Sequence, residues 1–362
     1  MFELKPYRAP DFSTPALRGA PDAALSPAPA DGVAPEGYHA MSIFPEYFKI
    51  GGEWRFAGES RMDCVPVYED GRIFVREFRH LRAGDLVAVG RTEDGRDGIL
   101  VHPFGFEAPE NAADVFAFRQ NRSRETAFSR DYDELMQLLS YEKQHGKIVW
   151  VLGPAFSFDS GARRAMSRLI DSGYVHALLA GNALATHDLE GAYLGTALGQ
   201  DIYTQVSRPN GHYHHLDTIN RVRTHGSVSA FIEKESVKDG IMLALHRNGV
   251  PYVLAGSIRD DGPLPGVFAN VYEAQDAMRN QLRDATTVIC MATMLHTIAA
   301  GNMTPSYRVT RAGVVRPVYF YCVDASEFVV NKLSDRGSLS AKGIVTNVQD
   351  FVQTLARGLQ LI

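Results

Sequence analysis

Chemistry in this chain is concentrated in short polar stretches that each follow an apolar run. Ala255–Pro265, AGSIRDDGPLP, sets Arg259, Asp260 and Asp261 side by side before a Gly-Pro turn. Carboxylates this close push their pKa values apart, so one can stay ionised beside Arg259 while its neighbour holds an ammonium or takes a proton. A solvated turn is the plainer reading of the same residues. Leu178–Glu190, LLAGNALATHDLE, adds Gly181 for close backbone approach, Asn182 to read an amide or a ribose hydroxyl, and His187 and Asp188 as a pair that can orient one another. A capping residue at a helix start explains one of these polar side chains but not the set.

The segment GHYHHLDTIN, with His212, His214, His215, Asp217 and Asn220, is dense in histidine. No Cys or carboxylate sits at a matching ligand spacing, so a substrate-side polar loop or a buried hydrogen-bonded cluster fits better than zinc, and no metal is expected. His296 lies in MATMLHTIAAGNM, where a lone histidine on an apolar face is more often a satisfied core residue. Gly153 in VWVLGPAFSFDSG marks a small-residue turn that offers backbone N–H groups to an anion, although it is not a G-x-G-x-x-G fingerprint. Asp324 ends another apolar run, where dinucleotide folds place the acid that binds a ribose diol.

The elements that must position these groups are legible as runs. KIVWVLG, VHALLAG, PYVLAG, TTVICMA, RPVYFYCVD and GIVTN alternate with segments of helical spacing, which argues a parallel α/β sheet covered on both faces. Ligands of such sheets bind at the carboxyl ends of the strands, where the polar stretches that follow these runs fall, the histidine-rich segment excepted. Ahead of this domain, residues 38–110 read as a small β-rich module of short strands broken by Asp-Gly turns. Residues 1–37, rich in Pro and Ala, read as a disordered leader. SRDYDELMQLLSYEKQHG reads as a polar helical linker into the α/β domain, residues 111–362.

The bulk composition excludes some functions. The 362 residues suit two domains of unequal size, and a 45% hydrophobic, 22% charged chain is a globular one. A net charge of -5 with scattered Lys and Arg gives no footprint for nucleic acid, and no apolar run reaches the roughly 18 to 20 residues of a membrane span. The expectation is a cytoplasmic protein acting on a small molecule, as a homo-oligomer by analogy with other parallel-sheet proteins.

LLAGNALATHDLE, LAGSIRDDGPLP, ATMLHTIAAGNM and NKLSDRGS, taken together and in this order, resemble the LOR/SDH-type family over about Met41 to Ile362. Its members include archaeal-type NAD-dependent ornithine cyclodeaminases, and GEWRFAGESRMDC and LRAGDLVAVG in the β module resemble its middle region. The resemblance implies a Rossmann-like, deoxyhypusine-synthase-like NAD-binding domain. It implies NAD contacts at Gly153, Pro154 and Ala155, at Gly181, Asn182 and Ala183, at Asp324 and Ala325, at Asp335, Arg336, Gly337 and Ser338, and at Thr346 and Asn347. Expected substrate contacts are Arg61, Asp63, Cys64, His187, Asp188, Asn220 and Arg259, with Asp260, Asp261 and His296 as catalytic candidates. The implied reaction takes ornithine to proline and ammonia by a hydride removed from Cα and returned later. A dehydrogenase or lyase acting on another amino or imino acid, and a non-catalytic NAD sensor, remain alternatives.

Overall fold

The computed structural model describes residues 2–106, 129–260, 262–326 and 339–362. The stretch read as a disordered leader is built into the fold. After one turn of helix, α1 (Pro15–Arg18), the strand β1 (Ala24–Pro27) forms the edge of a four-stranded antiparallel sheet with β4 (Cys64–Glu69), β5 (Arg72–Glu77) and β6 (Leu86–Val89), in the order β1-β6-β4-β5. Single polar anchors hold the rest of this stretch: buried Lys49 donates to the carbonyls of Arg18 and Ala20, and the Asp22 carboxylate takes the N–H groups of Gly51 and Gly52. Composition cannot reveal such anchoring, because the partners lie about thirty residues away. A second sheet pairs β2 (Glu46–Ile50), β3 (Glu53–Phe56) and β7 (Ile99–Val101) in the order β3-β2-β7. The β4–β5 hairpin turns at Asp70-Gly71, both at positive φ (49° and 78°), the backbone that makes Asp-Gly a hairpin signal.

The α/β domain follows. The segment read as a linker is α2 (Ser129–His145), and its Leu135, Leu138 and Leu139 are buried in the main core. Then come β8 (Ile148–Leu152), α3 (Ser160–Asp171), β9 (Ala177–Gly181), α4 (Asn182–Leu194), the short hairpin β10 (Thr196–Ala197) and β11 (Gln200–Asp201), α5 (His214–His225), α6 (Val228–Lys234) and α7 (Ile241–Asn248). The chain continues through β12 (Tyr252–Ala255), α8 (Val271–Leu282), β13 (Thr287–Met291), α9 (Met294–Met303), the hairpin β14 (Tyr307–Val309) and β15 (Val315–Pro317), β16 (Tyr319–Asp324), β17 (Ala341–Val345) and α10 (Val348–Gly358).

All six expected runs become strands of one sheet, ordered β12-β9-β8-β13-β16-β17 and parallel throughout. They read as continuous apolar runs because both faces are covered. Trp150, Leu178, Ile289 and Tyr321 face one core with α2, α3, α4, α7 and α10, while Val151, Leu179, Cys290 and Cys322 face the other with α8 and α9. The chain steps from β8 out to β9 and β12, then returns to the other side of β8 for β13. This reversal opens a crevice between the carboxyl ends of β8 and β13. The β module rests on α8, where Glu77 lies between Arg61 and Arg279 and Arg79 pairs with Asp276.

Candidate active site

At the crevice the strand ends approach backbone to backbone. Gly153 donates its N–H to the Met291 carbonyl at 2.8 Å, and a Cβ on Gly153 would stand 1.8 Å from the Ala292 oxygen, so only glycine fits. Ala292 itself sits at φ 57°, a left-handed backbone that a non-glycine residue adopts at a cost. From β13 the chain enters α9, which brings His296 across to β9: the imidazole Cε1 is 3.1 Å from where a Cβ on Gly181 would lie. His296 makes no hydrogen bond to a described residue, and burial lowers its pKa, keeping the ring neutral.

Helix starts along this edge differ. α3, α8 and α10 are capped by their own Asp159, Asn270 and Asn347, whose side chains accept N–H groups of the first turn. The 3-10 turn after Gly153, α4 after Gly181 and α9 after Thr293 have no side-chain cap. These three open starts follow β8, β9 and β13, the strands at and beside the switch point. Unspent N–H groups and the positive helix ends make that part of the crevice an anion site. Pro154 and Ala155 lie in the first open turn, and Ala183 in the first turn of α4.

Beside the crevice, a cavity of about 450 Å³ lies between α4, α5 and the loop after β12. It gathers six of the expected residues from separate segments: Asn182, Ala183, His187, Asn220, Arg259 and Asp260. The loop is set by short-range bonds and one long-range anchor. Asp260 accepts the Ser257 N–H at 2.9 Å, Gly256 and Phe268 close the loop's base, and the Asn182 side-chain oxygen Oδ1 accepts the Leu264 N–H at 2.9 Å. The Asn182 side-chain oxygen thus helps hold the loop that carries Arg259 and Asp260. Asp261 lies outside the described residues, as do Asp335, Arg336, Gly337 and Ser338.

His187 and its orienting partner are the best-defined hydrogen-bonded pair at the cavity. The His187 Nδ1 is 3.0 Å from the Glu190 carboxylate, leaving Nε2 without a partner among the described residues in a side chain that lines the cavity. Glu190 is fully buried and also accepts from Thr196 Oγ1 and the Leu198 and Gly199 N–H groups. Burial alone would raise its pKa, but the bonds from His187, Gly199 and Thr196 outweigh this and lower it, so the group stays a carboxylate. Glu190 was not anticipated, although the i,i+3 spacing of His187 and Glu190 on one helix signals the contact.

The expected partnership of His187 with Asp188 is not formed. Asp188 turns to the other flank of α4, where it is fully buried, pairs with the Arg163 Nε at 2.8 Å and accepts the Met242 N–H at 2.8 Å, so it is not a substrate contact. Successive helical residues point about 100° apart and cannot share a target. The histidine-rich segment is a 3-10 turn running into α5, not a loop. His215 and Asn220 line the cavity from α5 together with Arg223, a further unanticipated residue one to two turns along the same helix. His214 points instead to Thr196, at 2.7 Å, and His212 packs at a tilt against the Tyr213 ring.

The β module's expected substrate contacts do not line the cavity. Arg61 is buried in its ion pair with Glu77, Asp63 is an exposed turn residue at φ 61°, and burial pushes the Cys64 thiol up to about 12, which leaves it a neutral packing group. At the other end of the sheet, Asp324 uses one carboxylate oxygen on the Ser326 N–H, with exposed Ala325 between them, and Thr346 donates its N–H to the Asp324 carbonyl. Asn347 spends its oxygen capping α10.

A doubly wound parallel sheet with an anion-binding crevice at its switch point defines a Rossmann-type nucleotide-binding protein. Residues 134–355 match the family model described as arginine dihydrolase ArgZ-like, C-terminal, Rossmann fold, and the chain belongs to that family. It is 41% identical to an ornithine cyclodeaminase of Methanopyrus kandleri, covering 99% of this chain and 82% of that one, and 40% identical to one of Methanocaldococcus jannaschii, covering 93% and 77%. Among solved structures it is similar to a conserved LOR/SDH protein from Methanococcus maripaludis (36% identical, TM-score 0.83, covering 94% of this chain and 98% of that one). It is also similar to AgrE in its ternary complex with ornithine and NAD+ (35% identical, TM-score 0.59), where it spans 46% of that chain.

Proposed function

We propose that the crevice holds NAD and the adjoining cavity ornithine, which the chain converts to proline and ammonia. The observation that carries this reading is the cavity itself. It places a carboxylate, two guanidinium groups and two imidazoles around about 450 Å³ beside a row of uncapped helix starts. The names of the archaeal relatives and the AgrE complex with ornithine and NAD+ support it.

The residues fit the cofactor. The first-turn N–H groups of Ala155 and Ala183 would hold the pyrophosphate, with Gly153 and Gly181 letting it approach the backbone closely and Pro154 opening the first turn, and the free carboxylate oxygen of Asp324 would take the ribose diol. NAD bound there supplies a hydride acceptor for the substrate's Cα and gives the hydride back, making the cycle redox-neutral. Arg259 and Arg223 bind the substrate carboxylate as planar donors, and Asp260 holds an ammonium group. His187, its Nδ1 fixed by ionised Glu190, presents Nε2 as the base that takes the proton of that ammonium. Neutral His296, which packs against Gly181 at the end of β9, is the second proton carrier.

Exposed Leu198, Leu216 and Ile258 rim the site, with Ile258 fully open at 107% relative exposure, which supports a homo-oligomer that covers them. Among the described residues no helix is long and apolar enough to cross a membrane. Three buried free cysteines suit the cytoplasm, which is part of the proposal. The test is to assay the purified protein for bound NAD, add ornithine, and follow ammonia, proline and free NADH. Equal yields of ammonia and proline with no NADH accumulating are expected. Accumulating NADH would replace this reading with a dehydrogenase, and bound NAD without product would leave a sensor.

A further inference from the structure

A second cavity of about 450 Å³ lies on the other flank of α4, in the groove between α3 and α7. Its lining includes Arg163, Arg164, Arg168, Lys238 and Arg247, against two carboxylates, Asp171 and Asp239. Arg163 at its floor is buried and already matched by Asp188 and Asp239, and Arg247 pairs with Asp171 at 2.6 Å. The side chains of Arg164, Arg168 and Lys238 have no hydrogen-bond or ion-pair partner among the described residues.

Arg164 and Arg168 stand one turn apart on α3, where like charges repel, and Lys238 faces them across the groove. A concave wall that keeps three unmatched cations together concentrates positive potential, and guanidinium forks match phosphate oxygens. The volume exceeds what one inorganic phosphate fills and suits a small organic molecule. Tyr203, 66% exposed at the rim, offers an aromatic plane on which a base can stack. None of these residues belongs to the crevice or the ornithine cavity. We propose that the α3/α7 groove is a separate binding site for a small, multiply charged phosphate compound.

The test is calorimetric titration of the full chain, saturated with NAD so that its crevice is filled, with inorganic pyrophosphate and separately with ADP. Both bind, more weakly as salt is raised, and the R164A/R168A variant loses at least about tenfold in affinity while its melting temperature stays at the wild-type value. R168E gives the same loss. Tighter binding of ADP identifies the natural ligand as a nucleotide, and equal affinity identifies an inorganic polyphosphate; either supports the site. No binding by either probe to NAD-saturated protein, or binding unchanged in both variants, overturns it. The readout is binding and not turnover, so its failure leaves the ornithine reading untouched.

Discussion

His187 and Asp188 are neighbours on α4 with opposite circumstances. His187 has one ring nitrogen held by Glu190 and the other facing a cavity. Asp188 has one carboxylate oxygen on Arg163 and the other on the Met242 N–H, and no solvent exposure. Both are buried polar residues of a kind that invites a catalytic reading, yet only His187 keeps hydrogen-bonding capacity to offer a ligand. The same division runs along the sheet edge, where Asp159, Asn270 and Asn347 spend their oxygens on caps and the helix starts nearest the crevice are left open. Function collects where polar capacity is unspent, and spent capacity holds the fold.

Substitution on each face of α4 tests this division. Asp188→Ala leaves Arg163 as a buried charge short of its main partner, and unfolding by urea is expected to show a loss of about 3–5 kcal/mol, the largest effect here. A wild-type midpoint would place Asp188 with His187 instead. His187→Ala is expected to cut ornithine turnover about 100-fold while moving stability by less than about 1 kcal/mol. Glu190→Gln is a smaller break, since it keeps an oxygen near Thr196 but loses the charge that fixes the imidazole. The expected result is a fall of about tenfold in kcat with KM unchanged, and a change in KM alone would mean that Glu190 acts on binding.

Acid titration separates the two classes with the least disruption. Burial opposes ionisation of Glu77, but Arg61 and Arg279 outweigh it and lower its pKa from 4.5 to about 2. A depressed carboxylate stabilises the folded state fully above its unfolded value, and that stability is lost as pH falls from about 4.5 toward 2. Glu77→Gln should flatten this acid limb of the stability curve without altering how kcat depends on pH. A shifted kcat profile would tie the β module to the chemistry.

Much of the frame was legible because buried parallel strands read as uninterrupted apolar runs, and all six were found this way. The placement of polar stretches at their carboxyl ends followed from the topology, and six expected residues do meet in one cavity. The strand order was not legible, since no local pattern states that β8 lies mid-sheet. Asp188 was misread because its partners, Arg163 and Met242, are 25 and 54 residues away. The N-terminal stretch was misread for the same reason, its strand and anchors being closed by Lys49, Gly51 and β6. Glu190 and Arg223 were missed where a helical wheel through His187 and through His215 would have found them.

The central claim is that the cavity between α4, α5 and the loop after β12 holds the amino acid while the crevice holds NAD. Asp260→Asn tests it most directly, because asparagine can still accept the Ser257 N–H and keep the loop while losing the charge that holds the substrate's ammonium. Bound NAD and ornithine turnover are measured on the same preparation. The expected result is NAD content equal to wild type with turnover reduced by about 100-fold or more. Turnover at the wild-type rate, or loss of NAD together with activity, would contradict it.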